Sequence, residues 1–209
     1  EFSRVNLFLH ELQGVEPVVS VARFYKDSSS AHAIGYVSEI SQNDLKTKSY
    51  LQDLKIEGVA VGKTGLESSL DEQMLGSPGY LRYEVNAYGK KVRQVATSLG
   101  LKGKTFRTTL DQSIQKVSTE ALQNVSGAIC VMDIYNGDVI SMVSSPNFNP
   151  NSFVHGVNKD EWKELNENRD KPMLNKAVSG LYPPGSTIKT LTALSALEND
   201  IVSPKLVVR

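Results

Sequence analysis

Two consecutive prolines and a glycine, Pro183-Pro184-Gly185, stand directly before an apolar run with helical spacing, Ile188, Leu191, Leu194 and Leu197. The prolines end whatever precedes them, so a helix is expected to begin close to Ser186. A serine there meets unpaired backbone N–H groups and the positive end of the helix dipole, both of which favour an anion forming at its oxygen. Lys189 follows three residues later on the same helix face, within reach of the Ser186 hydroxyl. Such a pair is a serine nucleophile with a lysine base. A lysine accepts a proton only when unprotonated, a state favoured by desolvation and by nearby cationic groups.

Ser-x-x-Lys by itself is a weak signal, since a chain of this length holds roughly one match by chance. A second match does occur, Ser113-Ile114-Gln115-Lys116, inside a helical pattern with no breaker before it. Its serine is expected in mid-helix on a solvated face, without free amides nearby. Ser186 could likewise be a plain N-cap, and only the longer string around it argues for chemistry.

That string is Asn175-Lys176-Ala177, then Gly180, then Tyr182-Pro183-Pro184-Gly185-Ser186-Thr187-Ile188-Lys189. It resembles the active-site serine segment of class B penicillin-binding proteins, above all their elongation-type branch. Further stretches agree in order: Gly62-Lys63-Thr64-Gly65-Leu66-Glu67, Tyr83 to Gly89, and Gly127-Ala128-Ile129 through Ser144-Ser145-Pro146-Asn147-Phe148-Asn149-Pro150. The resemblance is weakest over the first dozen residues and between Ser41 and Val61.

The resemblance implies an α+β fold: a β-rich elongated pedestal and head module over residues 1–103, then the first part of a transpeptidase domain of the serine β-lactamase type over 104–209. It implies a peptidoglycan D,D-transpeptidase, with Ser186 as nucleophile, Lys189 as general base and the Ser186 N–H as one oxyanion donor. The implied substrates are D-alanyl-D-alanine stem peptides, with β-lactams as inhibitors. Implied partners are a RodA-type polymerase and an MreC-type scaffold. The implied location is the periplasmic side of a bacterial inner membrane, by way of an N-terminal anchor that this chain does not contain. The family also needs Ser-x-Asn and Lys-Thr/Ser-Gly boxes after the serine, and neither follows Lys189. The chain is therefore expected to be a fragment, inactive alone. Lys63-Thr64-Gly65 matches the second box but precedes Ser186, so it is expected to be a structural turn.

Composition narrows the alternatives. With 23 basic and 23 acidic residues the formal charge is zero, which gives no broad electrostatic case for nucleic acid or an anionic membrane. One cysteine, Cys130, excludes an internal disulfide and reads as a buried apolar residue of a strand. His10, His32 and His155 lack ligand spacing, so neither metal nor cofactor is expected.

Along the chain, alternation predicts a strand over Val15 to Tyr25. Leu66, Leu70 and Met74 predict one short helix closed by Gly76. Two extended runs flanking Ala87-Tyr88-Gly89 predict a hairpin. Gly100 to Lys104 is the expected domain boundary. A short strand is expected over Thr105 to Leu110, then a helix from Asp111 to Asn124 with Leu110, Ile114, Val117 and Leu122 inward. Apolar runs joined by Tyr135-Asn136-Gly137-Asp138 predict a second hairpin, and Asn158 opens a helix carrying Trp162 and Leu165 on one face.

Three other readings compete. A β-lactamase or β-lactam sensor shares Ser-x-x-Lys, but too many residues precede the serine here. The chain could serve as a non-catalytic interaction module for cell-elongation partners through residues 15–95. The septal penicillin-binding protein 3 type is the third.

Overall fold

Among the described residues the strands form three antiparallel pairs, and side-chain hydrogen bonds between distant stretches tie the fold together. The structure, a computed structural model, describes residues 2–12, 15, 21–52, 59–89 and 91–207. Helix α1 (Phe2–Leu7) leads in, followed by α2 (Ala31–Ile34), strand β1 (Val37–Glu39) and α3 (Gln42–Thr47). Ser41 and Asp44 cap α3 reciprocally, satisfying two otherwise unpaired donors at its start. Strand β2 (Ala60–Gly62) pairs with β1, with Val37 opposite Gly62.

Three acidic residues are buried in this part, each with partners. Asp71 accepts from Gly62 N–H at 2.9 Å, from Lys48 Nζ at 3.0 Å and from the Tyr50 hydroxyl. Glu67 takes Arg23 Nε at 2.8 Å and the Tyr25 hydroxyl at 3.2 Å. Asp44 takes Ser41 N–H at 2.8 Å and Lys63 Nζ. Buried carboxylates persist only when compensated in this way.

The single helix expected over Leu66 to Met74 is two helices, α4 (Gly65–Ser69) and α5 (Asp71–Leu75). The break falls at Leu70 (φ −109°, ψ 6°), where the next residue, Asp71, turns its carboxylate to the Gly62 N–H. Strands β3 (Tyr80–Val85) and β4 (Lys91–Ser98) form the expected hairpin, exposed on both faces. Residues 100–104 then return along 73–79, with a Ser77–Leu101 bridge and Lys104 N–H on the Gln73 carbonyl at 2.8 Å.

No strand forms over 105–110. That stretch touches the neighbouring strand through a side chain, the Thr109 hydroxyl on the Val139 carbonyl at 2.8 Å, and main-chain pairing starts only at Asp111 N–H on the Ile140 carbonyl. Of the strand expected over 15–25, residues 16–20 lie outside the described part and 21–25 form none. Both backbone groups of Tyr25 are taken by the Asn151 carboxamide, at 2.9 and 2.8 Å, and no strand can pair there.

Helix α6 (Gln112–Ala121) is capped by Asp111 and packs on β6 (Val139–Ser145), which pairs with β5 (Gly127–Met132) through the predicted Tyr135–Asp138 turn. The expected inward face of α6 holds at Leu122 and is off by one position at Ile114 and Val117. Gln115 and Ser118 are buried with Leu122, whereas Ile114 and Val117 are 38% and 64% exposed. Hydrogen-bonding partners decide this, because β6 presents the Ser141 hydroxyl and Met142 backbone to that face. Cys130 is exposed, not buried, since the face of β5 that carries it together with Met132 has no covering layer among the described residues.

An aromatic cluster closes the core. Phe148, Phe153 and Ala31 are buried, with Tyr36, Leu165 and Met173 packed on them, and Phe148 meets Phe153 edge-on at 5.6 Å. Trp162, from α7 (Lys159–Glu167), stands edge-on to Phe153 at 6.3 Å, so the helix opened by Asn158 does present Trp162 and Leu165 to one side. Helices α8 (Lys176–Ser179) and α9 (Ile188–Glu198) complete the order.

Candidate active site

Pro184 has helical dihedrals (φ −68°, ψ −22°), and Gly185 through Thr187 make one 3-10 turn that runs into α9. Gly185 supplies the positive φ of 52° that this entry requires. The Thr187 N–H and hydroxyl both go to the Pro184 carbonyl, which ties the turn to its prolines. Ser186 therefore lies in the turn before the helix, where the Pro-Pro-Gly pattern puts it, and Lys189 lies in the first turn of α9. Both are exposed. So are Ile188, Leu191 and Leu194 along a helix that is apolar nearly all round, a type normally enclosed by other elements.

The segment leading to the serine is held from behind. Asn175 caps α8 by accepting from Ala177 N–H at 3.1 Å and donates through Nδ2 to the His32 carbonyl at 3.2 Å. The Ser144 hydroxyl on β6 accepts from Lys176 N–H at 3.0 Å and donates to the Leu174 carbonyl at 3.1 Å. Lys176 is buried and its Nζ donates to the Lys171 carbonyl at 3.2 Å. Burial lowers its pKa, with Asp170 opposing.

The same residues belong to a seam between the first and second halves of the chain. Carboxamides from the second half bind the strip 25–32: Asn151 on Tyr25, Gln112 on Asp27 at 2.7 Å, Asn147 on the Ser28 carbonyl at 3.0 Å, Gln115 on the Ser29 carbonyl at 2.9 Å and Asn175 on His32. Sequence reasoning missed this seam and the residues behind the serine. The available signal was asparagine before a short helix, an N-cap pattern at Asn175.

The second Ser-x-x-Lys differs from its expectation. Ser113 is in the first turn of α6 rather than mid-helix, but its N–H and that of Ile114 are occupied by Asp111 Oδ1 at 2.8 and 2.9 Å. The amide of Ser113 itself and the one after it are therefore not available to an anion. Lys63-Thr64-Gly65 is also accounted for structurally, with Lys63 on Asp44. Gly65 (φ 58°) lies against the Ala33–Gly35 backbone, so that a Cβ would come within 2.7 Å of the Ala33 carbonyl oxygen. A cavity of about 370 Å³ beside the aromatic cluster is lined by Tyr36, Phe153 and Trp162, without Ser186 or Lys189. Among the described residues no group of His, Cys, Asp and Glu converges as metal ligands, and no helix is long and apolar enough to cross a membrane.

Two family descriptions match the chain: the penicillin-binding protein dimerisation domain over residues 1–108 and the penicillin binding protein transpeptidase domain over 127–208. The peptidoglycan D,D-transpeptidase MrdA of Acinetobacter baumannii is 37% identical over 203 residues, covering 97% of this chain and 30% of that protein. MrdA of Escherichia coli K12 is 32% identical over 208 residues, covering 97% of this chain and 32% of that protein. A solved penicillin-binding protein 2 of Helicobacter pylori, in complex with MreC, superposes with a TM-score of 0.79 at 32% identity, over 98% of this chain and 38% of that one. The chain thus spans about a third of the length of the relatives it matches.

Proposed function

The chain belongs to the penicillin-binding protein family, and on that footing we propose that it is part of a peptidoglycan D,D-transpeptidase of the cell-elongation type. In this reading residues 1–103 are a non-catalytic module, and 104–209 contribute to the transpeptidase. Ser186 Oγ attacks the carbonyl between the two terminal D-alanines of a stem peptide while Lys189 takes the hydroxyl proton. D-Alanine leaves with that proton on its amine, and an amine of a neighbouring stem then displaces the serine from the acyl-enzyme, the proton it loses passing to the Ser186 oxygen. The covalent intermediate splits one difficult transfer into two easier ones. The Ser186 N–H, at the start of α9, serves as one donor to the oxyanion.

The observation that carries this reading is the place of Ser186, in a proline-fixed turn opening an apolar helix with Lys189 one turn on, inside the stretch matched as transpeptidase. The exposed pair lacks the water exclusion that such chemistry needs, so residues 1–209 alone are expected to be inert. A protein of the relatives' full length would work at the periplasmic face of the inner membrane, acylated by β-lactams and partnered by a RodA-type polymerase. The test is covalent labelling by a fluorescent penicillin. Label should appear on Ser186 in the full-length protein, be lost in Ser186→Ala and be absent from residues 1–209. Labelling of Ser186→Ala at the wild-type level would sink the assignment.

A second reading, an interaction role for the first half, is favoured by two observations. Hairpin β3–β4 leaves Leu81 and Val85 exposed, with Tyr83 between them partly covered by the Lys91 ammonium 4.7 Å from its ring centroid, and the Helicobacter relative was solved with MreC bound. In this reading an MreC-type scaffold docks on that half. Retention of full-length protein by an immobilised MreC ectodomain, and its loss on Leu81→Asp with Tyr83→Asp, is the expected outcome. Unchanged retention of the double variant would refute the hairpin's part.

A further inference from the structure

We propose that Asn175 is a positioning residue for acylation at Ser186, an inference that rests on the reading of Ser186 as nucleophile. Its carboxamide is used at both ends, Oδ1 capping α8 and Nδ2 tied to the His32 carbonyl. A carboxamide offers an acceptor and a donor from one planar group without any change of charge. Its neighbours are held to β6, where the buried Ser144 hydroxyl binds Lys176 N–H and the Leu174 carbonyl on either side of it, whereas the tie to the strip 25–32 is made by Asn175. The start of α8 is thereby pinned to β6 and to the strip 25–32 at once.

Beyond Gly180 and Leu181, the chain leading to the serine has little freedom. Pro183 and Pro184 have fixed φ, and each also restricts the residue before it, so Tyr182, Pro183 and Pro184 form a stiff link. The Tyr182 ring lies over Gly180, where an added Cβ would come within 2.5 Å of Cε2. Leu181 is 99% exposed, so no tertiary packing corrects an error in direction along this link. A shift at Asn175 is carried to Ser186 with little damping. Misplacing a reacting atom by about 1 Å costs up to about a hundredfold in rate.

The experiment separates tether from cap in the full-length protein. Asn175→Ala loses both interactions, whereas Asn175→Asp and Asn175→Ser keep the capping acceptor and lose the donor to His32. Single-turnover acylation by a fluorescent penicillin over a range of concentrations gives the saturation constant and the limiting rate separately. The expected result is a limiting rate lowered about tenfold in all three variants, with the saturation constant within about twofold and the Asp and Ser variants melting like wild type. Wild-type limiting rates in Asn175→Asp or Asn175→Ser would overturn the inference, since capping alone would then suffice. A loss confined to the saturation constant would overturn it too. If Asn175→Ala does not fold, the Asp and Ser variants carry the test. Ser186→Ala is run alongside: if it still labels, the nucleophile reading has failed, whereas a dead Ser186→Ala with wild-type Asn175 variants means only this inference has.

Discussion

The side-chain amide of Gln115 binds both backbone groups of Met142, Oε1 accepting its N–H at 3.0 Å and Nε2 donating to its carbonyl at 2.7 Å. A helix side chain thereby stands where a neighbouring strand would be. The same amide also takes the Ser141 hydroxyl and the Ser29 carbonyl, so all its hydrogen-bonding capacity is used with the residue fully buried. Asn151 treats Tyr25 in the same manner.

Replacing Gln115 should therefore cost more than a polar residue usually does. Gln115→Ala leaves the Met142 and Ser29 groups unpaired in a buried site and opens a cavity, a loss of about 2–4 kcal/mol. Gln115→Glu keeps the shape but turns a charge toward two carbonyl oxygens, and should be comparably damaging. Urea unfolding midpoints measure both, and a midpoint unmoved by Gln115→Ala would mean that the bonds contribute nothing net.

His32 should make stability fall in mild acid. Burial chiefly, with Lys176 adding, lowers its pKa to about 4, while the Pro146 and Pro172 carbonyls oppose, and its Nε2 has no hydrogen-bond partner. The folded form thus binds fewer protons than the unfolded chain. The His32 contribution is complete above about pH 6.5 and is lost as pH falls toward 4, about 3 kcal/mol in all. Urea melts at intervals from pH 7 to pH 4, wild type against His32→Phe, should show a smaller loss in the variant. Parallel curves would assign the acid sensitivity elsewhere.

Lys63 should matter to folding and not to acylation. Burial raises the Asp44 pKa, but the bonds from Lys63 and Ser41 outweigh it and hold the carboxyl at about 2. Lys63→Met removes the cation paired with that carboxylate and leaves it to the Ser41 hydrogen bonds, and should cost about 2 kcal/mol at neutral pH. The Asp44 contribution is present above about pH 4 and is lost as pH falls toward 2, so the gap between variant and wild type should shrink in that window. Full-length Lys63→Met should still label with penicillin at the wild-type rate. Loss of labelling in a folded variant would instead make Lys63-Thr64-Gly65 catalytic.

Cys130 should react without denaturant. It lies on the uncovered face of β5, so a thiol reagent should titrate one thiol per folded chain, the full cysteine content. Reaction only after urea is added would restore the buried placement expected from its apolar neighbours.

Those apolar neighbours, Ile129, Val131 and Met132, illustrate what pattern reasoning can reach. They identified a strand, and β5 is one, but whether a strand face is covered depends on what else packs there. Features that a few adjacent residues decide can be read from the chain alone. Pro183-Pro184-Gly185 fixes where the chain turns into α9, and Asn136-Gly137 fixes the β5–β6 turn, with Gly137 at φ 79°. Both follow from backbone sterics that act within one turn of chain.

Tertiary structure decided what depends on partners remote in the chain. Gln115 is buried while Ile114 is not because acceptors and donors reach it from Ser29, 86 positions away, and from Met142. The helix breaks at Leu70 because the Asp71 carboxylate belongs to Gly62 and Lys48. Hydrophobic periodicity is a local signal. The cost of an unpaired buried polar group is settled only once the fold has brought its partners together.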